Sequence, residues 1–541
     1  MKPIRYALAA LAITASAVFF VRCDGGDDGA EATGWSERAA SWGVEFRYPS
    51  GAKGEFRMPE IMGGGVGLLD IDGDRDLDLF FSGGSGENRL FENRDGRFHK
   101  RPFPATSAGR FAMGVASGDV DNDGDVDLYV TNLGADQLFL NDGLGNFTDQ
   151  TKEAGIEIDG WSTSATFFDA NRDGWLDLFV GRYVRHNEAE RCTDASGRTD
   201  YCGPSVFAPE SDALWINRGD GSFTDATDSL GIGRGIGAAL GVVSFDANGD
   251  RRSDLFVAND GDPNHLWIQQ PDGRFEDEAL LRGVAYNHAG EAEAGMGVVA
   301  AQLTSESAID LFVTHLAAET HTLYEAVGGR FKDVSGERQL AEPSRAYTGF
   351  GVIAIDEEFD GDLDLWVANG RVAGGPAVER LTERYAEMNQ RFVQRSDPAR
   401  FDPIEFTSVA PGVSRGLTHG DLDGDGDDDV VIVNLDMPTE IWINETERQG
   451  DWIAIEAWLP DQRRHALGAL VEMETSTGQR MAIIHRGSSY LSSKSPVARF
   501  GLGTAQIESI VVQWPDGLRE RFDSLATQQT HRLNRGQGDP E

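Results

Sequence analysis

One nine-residue pattern constrains this chain more than any other feature: an acidic loop that runs directly into a short apolar strand. The first copy places Asp70, Asp72, Asp74 and Asp78 before Leu79-Phe80-Phe81. The second has Asp119, Asp121, Asp123 and Asp127 before Leu128-Tyr129-Val130, and the third Asp169, Asn171, Asp173 and Asp177 before Leu178-Phe179-Val180. The fourth has Asp246, Asn248, Asp250 and Asp254, the sixth Asp356, Glu358, Asp360 and Asp364, and the seventh Asp421, Asp423, Asp425 and Asp429. A fifth copy keeps the spacing, the final acid Asp310 and the strand Leu311-Phe312-Val313, but Gln302 and Thr304 replace the first two acids. A frame that outlives its acids is structural first.

A second element follows each strand, as in Leu138-Phe139-Leu140-Asn141 with Gly145-Asn146-Phe147, and reads as a β-hairpin around a Gly turn. Successive loops start 49, 50, 77, 56, 54 and 65 residues apart, which suits a four-stranded propeller blade with insertions. The predicted fold is therefore all-β: a seven-bladed β-propeller over 41–448, closed into a ring with few free edges, plus a small C-terminal β domain over 449–535 and a tail at 536–541. In that domain 452–459, 470–475 and 507–514 suit strands, with turns at Ser476-Thr477-Gly478 and Pro515-Asp516-Gly517. The long sixth interval holds 379–390, a polar segment expected to form a short helix.

Calcium takes six to eight oxygens at flexible geometry. Side chains at loop positions one, three, five and nine converge when such a loop curls, and position seven adds a carbonyl. This is like the first half of an EF-hand loop, but it leads into a strand. Six loops repeated in phase argue against plain solvated turns and predict about six structural Ca²⁺ sites on the residues named above. Gly at position six permits the tight turn. Arg75 and Arg251 stand there in loops one and four, and Arg252 adds charge, so those two sites are expected to be weaker.

The N-terminus reads as an export signal (1–22), with Lys2 and Arg5 ahead of an apolar run at 6–21 that is short for a membrane span. Either Ala15-Ser16-Ala17 is a cleavage site or Cys23 is lipidated, with 23–40 as a flexible tether. Arg22 is not the small residue that a lipoprotein signal favours before its cysteine. Cys192 and Cys202 lie in one polar loop. A disulfide suits an oxidising compartment, two free thiols being the alternative. The expected location is exported: periplasmic, a surface lipoprotein, or secreted. The formal charge of −42 excludes a nucleic-acid partner, and membrane contact is expected only through a lipid anchor.

The loops resemble the FG-GAP/VCBS repeats of integrin α-type propellers. VANDGDPNHLW (257–267), AYNHAGEAEAGMGV (285–298), YCGPSVFAPE (201–210) and GLTHGDLDGDGDDDVVIVN (416–434) resemble the ASPIC/UnbV family. ALGALVEM (466–473), GSSYLSSKSPVARFGLG (487–503) and VVQWPDG (511–517) match its C-terminal domain. The resemblance spans roughly 40–535 and implies a secreted or surface calcium-binding propeller with an undefined ligand. Two departures are the altered fifth loop and Arg371, where the resemblance leads one to expect His.

No catalytic set stands out. His315 and His321 read as polar loop residues rather than metal ligands, His419 as packing beside the seventh loop, and Arg218-Gly219-Asp220 as a hairpin turn rather than an adhesion signal. The favoured function is a surface binding or adhesion scaffold for a glycan or protein. The alternative is a polysaccharide lyase or dehydratase on the same fold, which a screen for unsaturated products would reveal.

Overall fold

The computed structural model describes residues 34–541 apart from 106–108, 305–306, 375–383, 396–398 and 405–409. The predicted signal, Cys23 and most of the tether lie outside the described residues. No described helix is long and apolar enough to cross a membrane.

Seven sheets of four antiparallel strands follow one another, the first extended by two short strands from 487–493. Sheet one spans 66–101, two 111–149, three 162–225, four 239–277, five 298–333 and six 349–404. Sheet seven spans 414–444 and takes its fourth strand from the far end of the chain: Trp35–Glu37 pairs with Glu440–Asn444. Each acidic loop joins the first and second strands of its sheet, so all seven loops open on one end of the assembly. The first strands are buried almost throughout, and each packs on the next, from sheet one round to sheet seven and back to sheet one. Apolar side chains fill the wedges between sheets. Leu69, Phe80, Val115 and Phe139 lie between one and two, and Val299, Phe312, Val352 and Phe392 between five and six.

The expected tether ends earlier than its predicted boundary, because Trp35 is too apolar to stay in solvent. It is buried against Trp366 (ring centroids 4.7 Å apart) and donates through Nε1 to Glu357 at 3.2 Å. The expected helix at 379–390 is not present in its described part. Residues 384–390 are not helical, Glu387 bridges to Gly412, and Gln390–Arg395 is a strand.

The C-terminal domain consists of two sheets. One joins Asp451–Leu459, Arg464–His465, Ala498–Gly503 and Thr530–Asn534. The other joins Leu470–Thr475, Gly478–Ile483, Ile507–Gln513, Arg519–Phe522 and Asp539–Pro540, so part of the predicted tail is a strand. Ile455, Met473, Phe500, Ile510 and Trp514 form its core, continuous with the wedge between sheets two and three.

From this domain a hairpin, Gly487–Ser488 and Ser492–Ser493, enters the axis of the ring and touches all seven first strands. Its backbone bonds reach Val115 (N–H to Leu491 O, 3.0 Å) and Val298 (both directions with Ser489, 2.7 and 3.0 Å). Ser164, Val352 and Thr418 bond it from sheets three, six and seven, and Gly67 pairs with Ser493. Around the axis the facing glycines have no room for a Cβ. A Cβ on Gly65 would lie 2.4 Å from Leu491 O, and one on Gly416 would lie 2.1 Å from Gly64 O. At the tip Tyr490 is fully buried, donates to Met62 O at 2.5 Å and packs on Phe350. Arg415, also fully buried, stacks on the other side of that cluster, 3.8 Å from the Phe350 ring centre.

Candidate metal centres

The six acidic loops share one backbone conformation, set by their carboxylates acting on local N–H groups. The position-one Asp accepts from the backbone of position six in every copy, for example Gly124 N to Asp119 at 3.0 Å and Arg251 N to Asp246 at 2.7 Å. The position-five Asp accepts from position seven. The curl needs two left-handed residues. Position six has φ between 70° and 107°, and position four, occupied by Gly73, Asn122, Arg172, Gly249, Phe359 and Gly424, has φ between 57° and 79°. Only the first requirement was legible in the sequence. Asn, Arg and Phe at position four hide the second.

The position-nine Asp has a separate task. Asp127 accepts Val120 N at 2.9 Å on one oxygen and Asn141 N at 2.9 Å on the other, tying the loop to the end of the third strand. Asp78, Asp177, Asp254 and Asp429 do the same. So does Asp310 in the altered fifth loop, with Leu303 N at 3.1 Å and Ala326 N at 2.7 Å. This clamp explains why the fifth copy keeps its last acid. The first acid of that copy went for a different reason: Gln302 meets the C-terminal domain there, donating to Gln479 O at 3.0 Å and accepting from Met481 N at 2.7 Å. A carboxylate could not supply the donor.

Carboxylate oxygens from three residues converge in four loops: Asp70, Asp72 and Asp78; Asp119, Asp121 and Asp127; Glu357, Glu358 and Asp364; Asp421, Asp423 and Asp425. In loop six Glu357, which the sequence reading passed over, joins the set in place of Asp356 and Asp360. It also receives Arg391 and Trp366 Nε1. In loops three and four the position-three amides of Asn171 and Asn248 donate to Asp173 and Asp250 at 2.8 and 2.9 Å. Four buried oxygens inside the loops have no hydrogen-bond partner among the described residues: Asp72 Oδ1, Asp119 Oδ1, Asp364 Oδ2 and Asp427 Oδ1. Burial pushes Asp78 and Asp177 up to about 8 and Asp119 up to about 7, with neighbouring carboxylates adding to the shift. Crowded, desolvated carboxylates with orphaned oxygens fit a bound cation.

Arginines of the C-terminal domain lie over these loops. Arg464 donates to Asn122 Oδ1 at 2.9 Å and to Gly174 O at 3.0 Å, bridging loops two and three. Arg480 reaches Gly361 O in loop six. Arg499 bonds Gly426 O at 3.1 Å and Asp428 at 2.6 Å beside loop seven, 3.5 Å from Asp421. Nothing in the sequence separated these arginines from ordinary surface cations.

The opposite end of the ring carries the Cys192–Cys202 disulfide. The loop it closes reaches across to the sixth-sheet insertion. Asp200 accepts from Gly374 N, Arg384 and Tyr385 OH at 2.9, 3.0 and 2.7 Å. Arg371 pairs with Glu387 at 2.8 Å. His315 and His321 are not exposed loop residues: both are about 1% exposed, and His321 Nδ1 accepts from His315 N at 3.1 Å. Burial drives His321 down to about 3, so it is neutral. His419 Nδ1 lies 3.2 Å from Asp428, and Gly219 and Asp220 occupy a hairpin turn against Trp175.

Residues 460–540 match the ASPIC and UnbV family, and 70–130 and 119–180 match the FG-GAP-like repeat. Cartilage acidic protein 1 of Mus musculus is 26% identical over 495 residues, covering 85% of this chain and 71% of that protein. The Xenopus tropicalis protein of the same name is 26% identical over 498 residues, with the same coverage. A solved structure described as YCF48 bound to D1 peptide aligns with a TM-score of 0.41 at 9% identity, over 77% of this chain and 98% of that one.

Proposed function

We propose that this chain, with its FG-GAP-like repeats and its ASPIC and UnbV segment, is an exported, calcium-stabilised seven-bladed β-propeller that acts as a binding scaffold for a surface glycan or protein. The observation that carries the calcium reading is the set of orphaned, buried carboxylate oxygens at Asp72, Asp119, Asp364 and Asp427, each inside an acidic loop. Ca²⁺ suits them better than Mg²⁺, which demands octahedral geometry and keeps its waters. Positions one, three, five and nine would hold the ion, with Glu357 added in loop six. The ion would supply the positive charge that these carboxylates lack. The left-handed geometry does not mark loops one and four as weak, since loops two, three and six also place one non-glycine residue in that region. Charge does mark loop four, where Arg252 already pairs with Asp250.

Seven four-stranded sheets in a closed ring support the blade count, and the disulfide supports an oxidising compartment. Isothermal titration of chelated protein with CaCl₂ tests the metal. About six equivalents with the weakest step lost in Asp250→Ala fits. Heat-melting unchanged by EDTA would sink the reading, because an ion bound only to the folded state must raise its stability. Glycan arrays and surface-protein pull-downs with the loaded protein test the ligand class.

A further inference from the structure

Phe359, at position four of loop six, is the residue least suited to its own backbone. It holds φ 60°, where the equivalent positions of the other acidic loops carry Gly, Asn or Arg. A bulky aromatic residue resists that conformation and keeps it only where surrounding contacts over-determine it. Those contacts come from the C-terminal domain. Phe359 is 1% exposed and stacks on Trp452, ring centroids 5.9 Å apart. Its carbonyl accepts from Gly503 N at 2.8 Å.

The domain holds the rest of this loop as well. Glu358 O accepts from Gln449 N at 2.6 Å. Gly361 N, at position six, donates to Asp356 at 2.8 Å, while Gly361 O accepts from Arg480. Gly501 is packed so closely that a Cβ there would lie 2.0 Å from Asp356 Oδ2. Arg464 and Arg499 take the same position-six carbonyl in loops three and seven, at 3.0 and 3.1 Å. Among the described residues, however, no other acidic loop makes a main-chain to main-chain bond with the domain. Arg480 settles on a neutral carbonyl and leaves the carboxylates of Glu358 and Asp364 to another cation.

We propose that loop six is a latch: the calcium ion it binds and the seating of the C-terminal domain on it are coupled, each strengthening the other by the same factor. This rests on the calcium reading above. The carbonyls of Glu358, Phe359 and Gly361 meet the domain only while the loop is curled. That curl gathers the carboxylates of Glu357, Glu358 and Asp364, which repel one another until a cation joins them. An ion that favours the curled loop therefore favours the docked domain, and the domain, by holding the curl, favours the ion.

Two amides report on the latch directly, Gln449 N and Gly503 N, because both are donated to loop six. Hydrogen exchange at these positions is read by mass spectrometry on the full chain, with Ile507–Gln513 in the domain's second sheet as internal control. Exchange at both is expected to be at least about tenfold faster in EDTA than in saturating CaCl₂, with the control strand protected in each. Glu358→Gln in saturating calcium should bind one ion fewer by calorimetry and show the same fast exchange. Asp250→Asn removes a ligand from loop four, and both amides should stay protected. From the domain side, Arg480→Met should weaken one calcium-binding step by a similar factor, and this arm decides the matter should Glu358→Gln fail to fold. Protection that ignores calcium in a wild type that binds it overturns the latch. So does equal loss of protection in Glu358→Gln and Asp250→Asn, or unchanged calcium binding by a folded Arg480→Met. Calorimetry that finds no calcium uptake by the wild type instead brings down the calcium reading, and the latch with it.

Discussion

At the scale of single residues, the ninth loop position shows how a side chain can be kept for a reason that its neighbours obscure. Asp310 looked like the remnant of a lost metal loop, yet it receives the same two backbone donors as Asp127. Asp310→Ala should therefore destabilise the protein by about 3 kcal/mol, because two buried N–H groups lose their acceptor, while the number of calcium ions bound stays the same. Urea unfolding with parallel calorimetry checks both halves. Arg75→Gly makes the opposite kind of prediction. Removing a Cβ from φ 78° should raise stability by about 0.5 kcal/mol, the relief of left-handed strain exceeding the entropy of the added glycine. A lower unfolding midpoint in that variant would refute the conformational account of position six. The acidic positions were legible because their spacing repeats. Glu357 was not, because it lies off the alternating positions and is recruited by Trp35 and Arg391 from distant parts of the chain.

At the scale of elements, the strands and hairpins followed from apolar runs and turn residues, and the seven copies of the loop mark the seven sheets. The axial hairpin did not follow. Its strands are two residues long, and its Gly-Ser composition reads as a loop. Those small residues are there because seven strands converge on them. Tyr490→Ala removes the buried tip and should cost about 3–5 kcal/mol. If the hairpin is what seats the domain, proteolysis in the exposed connector at 445–450 should accelerate in that variant. Destabilisation with unchanged cleavage there would show that the domain is held by its loop contacts instead. Trp35→Ala should have a comparable cost, since Glu357 then keeps its burial but loses one donor, and melting measures it.

At the scale of the whole molecule, a charge of −42 is tolerable because it is organised. Much of it lies at one end of the ring, under a domain that turns Arg464, Arg480 and Arg499 toward it. The other end is tied by the Cys192–Cys202 loop to the sixth-sheet insertion. Reduction of that disulfide should raise amide exchange at 371–374 and 384–387 and leave the axial strands protected, since a short closed loop contributes about 3 kcal/mol, and here that contribution is local. Exchange that spreads to the first strands would mean that the ring depends on this bond.

The pairing of Trp35–Glu37 with Glu440–Asn444 also sets a timetable. A strand made among the first is completed by one made some four hundred residues later. At 5–20 residues per second, that is a wait of about 20–80 s during which Trp35 has no partner and six sheets stand as an open arc. Both ends of that arc offer an uncovered apolar sheet face to other nascent chains. Yield in cells should therefore depend on how crowded the emerging chains are, and on whatever shields Trp35 until the seventh sheet arrives.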